Sequence, residues 1–129
     1  MQSELEGLLG ELELAVMQVV WSHGSVAVRD VHQALLPRRD VAYTTVMTVM
    51  SRLAGKGVLR RERLGRAFIY RAAQPGRRGF LRQQARLAVH RLLERYGELA
   101  IAEFVDELSE GDAERLAALD ALLAEHRVE

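Results

Sequence analysis

Ala42-Tyr43-Thr44-Thr45-Val46-Met47-Thr48-Val49-Met50-Ser51-Arg52-Leu53-Ala54-Gly55-Lys56-Gly57 is the stretch on which the reading of this chain turns. Its β-branched residues make it a poor helix by propensity alone. Spacing argues for a helix all the same. Val46, Val49, Met50 and Leu53 fall at i, i+3, i+4 and i+7, which is one helical face. Thr44, Thr45, Thr48 and Arg52 fall on the opposite side, and Gly55-Lys56-Gly57 supplies a C-terminal stop. The expectation is a helix over 43–54, apolar inside and small, polar and basic outside.

Upstream, Leu9, Leu12, Val16, Val19 and Val20 mark an apolar helical face over about 8–22. Trp21 closes it as a core or interface anchor, and Gly24 ends it. Ser25-Val26-Ala27-Val28 is a short β-prone stretch. A second short helix over 29–36 presents Val31, Ala34 and Leu35, and Pro37 stops it. Arg38-Arg39-Asp40 reads as a polar turn.

Downstream, two β-prone runs (58–64 and 67–72) flank Gly65-Arg66, a hairpin signal. Gln74-Pro75-Gly76-Arg77-Arg78-Gly79 reads as a linker by composition. The remainder is helical. A helix over 80–96 carries Leu81, Ala85, Ala88, Val89, Leu92 and Leu93 and ends at Gly97. One over 98–108 carries Leu99, Ala102 and Val105, with Ile101, Phe104 and Leu108 alongside. Ser109-Glu110-Gly111-Asp112 resembles a capping box opening a last helix to about residue 125, with Leu116, Leu119, Leu122 and Leu123. The fold class expected is mainly α with a small β-hairpin wing. A winged helix-turn-helix domain spans 1–76, and a three-helix dimerisation domain spans 77–129.

Composition narrows the function classes. With 129 residues, 49% apolar, the chain can bury a globular core without disulfides or a structural metal. It has no Cys, which excludes thiolate metal sites and redox motifs. No apolar run reaches membrane-spanning length. Met1-Gln2-Ser3-Glu4 lacks the basic and apolar regions of a signal peptide, so a cytoplasmic location is expected, with no membrane partner. His23, His32, His90 and His126 are scattered and pair with no nucleophile, so no enzyme, metal or cofactor is expected.

The formal net charge of zero conceals an asymmetry. Residues 1–28 are net −4, residues 29–79 are net +9, and residues 80–129 are net −5. The basic middle holds the polar-faced helix and the hairpin. B-DNA's major groove admits a helix, and small hydroxylated side chains let its backbone approach closely. Arg52 can reach a phosphate or a guanine. Arg60, Arg61, Arg63 and Arg66 can lie along the phosphate backbone or enter the minor groove. One exposed arginine is ordinarily just a solvated group, but clustering in one segment argues for a phosphate-rich partner. The acidic C-terminal half would repel phosphate. Its apolar residues exceed what three short helices can hide, so a second copy is expected to cover them. A dimer would set two recognition helices about 34 Å apart on a palindromic site.

Several stretches together resemble the penicillinase-repressor family (BlaI/MecI/CopY type) of winged-helix regulators. They are Leu12-Glu13-Leu14-Ala15-Val16-Met17 with Trp21, Val28-Arg29-Asp30-Val31-His32, the stretch from Ala42 to Leu53, Lys56-Gly57 and Tyr70. The resemblance covers about residues 8–125 and is most specific from Ala42 to Gly57. It implies a repressor that binds a double-stranded operator as a homodimer. It places Tyr43, Thr44, Thr45, Thr48 and Arg52 toward DNA, with Lys56, and makes the hairpin with Arg60 and Arg66 the wing. It implies dimerisation through the C-terminal helices, here Leu81, Leu92, Leu99, Phe104, Leu116, Leu119 and Leu123.

In the β-lactam-responsive branch of that family, a sensor-linked protease leads to cleavage of an Asn-Phe bond. The matching position is Glu103-Phe104, with the Phe kept and the Asn replaced, which makes it the candidate cleavage site for relief by an antibiotic or cell-wall stress signal. The copper branch uses a C-terminal cysteine motif that this chain lacks. The alternative function is a helical interaction adaptor that keeps a winged fold without binding DNA. Salt dependence of binding separates the two readings.

Overall fold

The computed structural model describes residues 7–111 and 113–127. Met1-Gln2-Ser3-Glu4 and Asp112 lie outside the described residues. The elements are α1 Glu11–His23, α2 Val28–Leu35, α3 Tyr43–Gly55, β1 Leu59–Leu64, β2 Ala67–Ala72, α4 Gly76–Tyr96, α5 Glu98–Gly111 and α6 Ala113–Arg127. Two compact units divide the chain, one reaching Gln84 and the other starting at Ala85.

The first unit is built around the apolar faces of α1, α2 and α3. Glu13 starts α1 by accepting the Gly10 N–H at 3.1 Å, and Asp30 starts α2 by accepting the Ala27 N–H at 2.8 Å. Each carboxylate thereby satisfies one of the amides that a helix start leaves open. The core of α1 is wider than a three-four stripe. Leu14, Ala15, Val16, Met17 and Val20 are buried, while Leu12 and Val19 are half-buried beside them. The helix packs against α2, α3 and strand β2.

In α3, Val46, Met50 and Leu53 are fully buried and Val49 is half-buried, so helical spacing prevails over β propensity. Tertiary burial of one face outweighs weak local preference.

The hairpin pairs β1 and β2 antiparallel, with Leu59 opposite Ala72 and Leu64 opposite Ala67. Gly65 takes φ 66°, and among the described residues only glycines have positive φ. This fits the tight primed turn with glycine first that matches strand twist. Val26 exchanges two backbone hydrogen bonds with Tyr70, at 2.9 and 2.7 Å. The β-prone stretch before α2 is thus a single bridge that pins the hairpin to the helices.

Two expectations need correction. The 74–79 linker is helical from Gly76, because proline is tolerated at a helix start, where its missing N–H has no partner to lose. The Pro75 carbonyl accepts the Gly79 N–H at 3.1 Å. A Cβ at position 79 would come 2.9 Å from Pro75 Cδ, so this approach needs glycine. Ser109 does not open the last helix. It lies within α5, and its hydroxyl donates to the Val105 carbonyl at 2.9 Å. A serine back-bonded to its own helix cannot cap the next one.

The first turns of α4 belong to the first unit. Phe80 is buried against its core and meets Trp21 at 6.1 Å between ring centres, and Leu81 is half-buried there. In the second unit, α5 and α6 pack together and Leu108 is the buried large apolar residue among those described. No described helix is long and apolar enough to cross a membrane.

Candidate nucleic-acid interface

The buried face of α3 fixes what its other face can do. Thr44, Met47, Thr48, Ser51 and Arg52, at i, i+3, i+4, i+7 and i+8, form one exposed stripe, with Thr45 and Lys56 along its edge. Met47 and Ser51 are absent from the sequence-derived set. The signal that could have found them is the same periodicity, counted onward from Thr44 rather than from the apolar residues.

The Thr48 hydroxyl donates to the Thr44 carbonyl at 3.0 Å. Its proton is spent inside the helix, so toward a partner it offers lone pairs and a methyl group. Tyr43, at the start of α3, is exposed, and its ring meets the His32 imidazole edge-on at 5.6 Å. The His32 Nε2 lies 2.8 Å from the Val41 carbonyl, so the imidazole holds the α2–α3 turn as its N–H donor.

The hairpin lies alongside. A cleft of about 450 Å³ is lined by Arg29, Tyr43, Met47, Arg66, Phe68 and their neighbours, bringing Arg66 to the start of α3. Another, of about 860 Å³, holds Arg60 and Arg61 with Ser51 and Gly55 from the end of α3. The guanidinium of Arg61 sits 4.4 Å from the centre of the Phe68 ring and that of Arg63 5.9 Å, so one aromatic plate orders two cations. Arg71 pairs with Glu62 at 3.2 Å across the opposite face.

Lys56 differs from the other candidates. Its Nζ is 3.0 Å from Glu13 Oε2, joining the end of α3 to the start of α1. Burial pushes the Glu13 carboxyl up. The Gly10 amide, the Lys56 hydrogen bond and charge and the Arg52 charge together outweigh that and hold it below its ordinary value. A lowered pKa in the folded state adds stability above the ordinary carboxylate range and loses it as pH falls through the lowered value. Glu13→Gln is therefore expected to lower stability at pH 7 by up to about 1 kcal/mol. Urea melts of both proteins at pH 7 and pH 3 check this: the gap should close at pH 3, and a gap of equal size there contradicts it.

In the second unit, Leu92, Leu99, Phe104 and Leu123 are exposed, and Leu116 and Leu119 are half-buried. Leu81 is half-buried against the core of the first unit. Leu92, Tyr96, Leu99 and Phe104 line a largely apolar groove of about 580 Å³ together with Glu103 and Glu107. The Glu103-Phe104 bond lies in the middle of α5. His90 pairs with Glu94 at 3.0 Å, and the His126 ring nitrogen lies 2.7 Å from the Leu122 carbonyl. No group of three or more metal-ligating side chains occurs among the described residues.

Comparison with known proteins places these features in a family. The chain is 54% identical over 63 residues to the transcriptional regulator BlaI of Mycobacterium tuberculosis, covering 48% of this chain and 46% of that protein. It is 34% identical over 62 residues to the penicillinase repressor of Bacillus licheniformis, covering 48% of each. It thus spans about half the length of these curated relatives. The solution structure of the Bacillus licheniformis BlaI monomeric form in complex with the blaP half-operator aligns at TM-score 0.45 and 32% identity, covering 50% of this chain and 79% of that one. The sequence model of the penicillinase-repressor family matches residues 9–123, and the chain belongs to that family.

Proposed function

We propose that this protein is a sequence-specific transcriptional repressor that binds a palindromic operator as a homodimer. The observation that carries the reading is the Thr44-Thr48-Ser51-Arg52 stripe, exposed on a helix whose opposite face packs into the core through Val46, Met50 and Leu53. A helix locked from behind presents its outer residues in one register, which reading base edges requires. Arg60 and Arg66 on the hairpin supply phosphate contacts on either side, and Tyr43 meets the sugar-phosphate backbone at the helix start. Family membership supports the repressor role.

Arg52→Ala and Thr45→Ala should each weaken operator binding by about 1–3 kcal/mol. Footprinting on the DNA upstream of the chain's own gene, followed by fluorescence anisotropy on the protected duplex, measures this. Affinity should fall steeply with salt. Binding that ignores salt and does not distinguish operator from random duplex would sink the DNA reading and leave an interaction adaptor.

Relief of repression by a sensor-linked protease at Glu103-Phe104 would need α5 to unwind first, because proteolysis concentrates on locally opened backbone. Fragment mapping by mass spectrometry, after incubation with extract of antibiotic-treated cells, tests this. The expected product ends at Glu103.

A further inference from the structure

The pair between Glu13 and Lys56 is built more firmly than an ordinary surface contact. Glu13 uses both oxygens: Oε1 accepts the Gly10 N–H at 3.1 Å and Oε2 meets Lys56 Nζ at 3.0 Å. The backbone bond fixes the carboxylate, so the ion pair does not depend on two floppy side chains finding each other. The Glu13 side chain is only 20% exposed, while Lys56 is 58% exposed. Lys56 is therefore open to solvent on one side and held on the other. It lies one helical turn beyond Arg52, along the edge of the exposed stripe.

We propose that Glu13 is a built-in competitor for phosphate, which withholds Lys56 from DNA and so limits non-specific affinity. The inference rests on the DNA-binding reading and deepens it. A phosphate oxygen and a carboxylate oxygen make the same charge-assisted hydrogen bond to an ammonium group. A phosphate reaching Lys56 meets an ammonium whose charge is already offset by a carboxylate anchored at 3.0 Å, so it gains less there than at an unpaired lysine. Lys56 thus adds little to a random duplex, whose affinity comes almost entirely from phosphate contacts. Base contacts from α3 keep their full weight, and the ratio of specific to non-specific binding rises.

Glu13→Gln separates the charge from the cap. Glutamine still accepts the Gly10 N–H, as in an ordinary capping box, but no longer holds an ammonium. The comparison variant is Glu11→Gln, which removes one negative charge from the same helix at a pair with Arg39 that is 87% exposed on the glutamate side.

The experiment measures binding of the full chain to a random-sequence duplex between 50 and 200 mM salt. Circular dichroism confirms folding of each variant. Glu13→Gln should bind more tightly than wild type at low salt. Its salt slope should be steeper by about one unit, so that the affinity ratio across this range grows about 3.5-fold. The gain should vanish in a Lys56→Gln background.

A gain no larger than that of Glu11→Gln, or one that survives Lys56→Gln, overturns the inference while leaving DNA binding in place. A purely structural role for the pair would make Glu13→Gln bind more weakly, the opposite sign. A wild-type protein that binds no duplex at all overturns the DNA reading, and this inference with it.

Discussion

Replacing Leu99 and Phe104 together by aspartate should turn the protein into a monomer that stays folded and loses most of its operator affinity. Both residues are more than half exposed in the single chain, so neither substitution opens a cavity within the protomer. An exposed patch of this extent ordinarily marks an interaction surface. Around them, Leu92, Tyr96, Ile101 and Val105 are also exposed.

Burying one such side chain is worth about 1.5–3 kcal/mol. A two-fold interface counts every residue twice. The double substitution therefore removes on the order of 6 kcal/mol or more, against about 8 kcal/mol for a micromolar dimer. Loss of the dimer also removes the advantage of tethering two half-site readers, which is worth about 10² to 10⁴ in affinity. Sedimentation velocity at micromolar concentration reads the first effect, and anisotropy on the full and half operators reads the second. Half-site affinity should be unchanged. A variant that still sediments as a dimer, or a wild type that is already monomeric, would remove this patch as the dimer interface.

How far the sequence alone reaches can be seen element by element. Helix α3 and the hairpin were legible because each is written in a short local period: Val46-Val49-Met50-Leu53 for the helix and Gly65 between two β-prone runs for the hairpin. The start of α4 was not, because Pro75 and Gly76 are loop-formers by composition. The Gly79 N–H bonded to the Pro75 carbonyl, with the close approach of the two residues, shows that the chain winds there. Ser109 carried a capping signature that its own helix pre-empted.

Within the interface, the outward stripe was legible in Thr44, Thr48 and Arg52. Met47 escaped because an apolar residue does not mark a polar face. The pairing of Lys56 with Glu13 could not be read at all. The two residues are 43 positions apart, and periodicity within one helix says nothing about which helix end it will meet. Zero net charge hid the same pairing, since a composition counts charges without placing them.

Leu53→Ala should be the most destabilising single substitution in α3, and its effect on DNA binding should track stability rather than contact. Leu53 is fully buried and belongs to the core shared by α1, α2, α3 and the hairpin. It lies on the face opposite the stripe, so it touches no partner. Truncating a buried leucine removes transfer free energy and leaves a cavity, together about 2–5 kcal/mol.

Against a total stability of about 5–15 kcal/mol, that is enough to populate unfolded first units at physiological temperature. Urea denaturation followed by Trp21 fluorescence reports on the first unit directly, since Trp21 packs against its core. The midpoint should fall with an unchanged slope. At low temperature, where the variant is still folded, its operator affinity should match wild type, whereas Arg52→Ala should bind weakly there and melt normally. These opposite profiles separate the residues that hold the reading helix from those that read. Should Leu53→Ala lose affinity while fully folded, the buried face of α3 would be setting the register of the exposed one more finely than core packing alone requires.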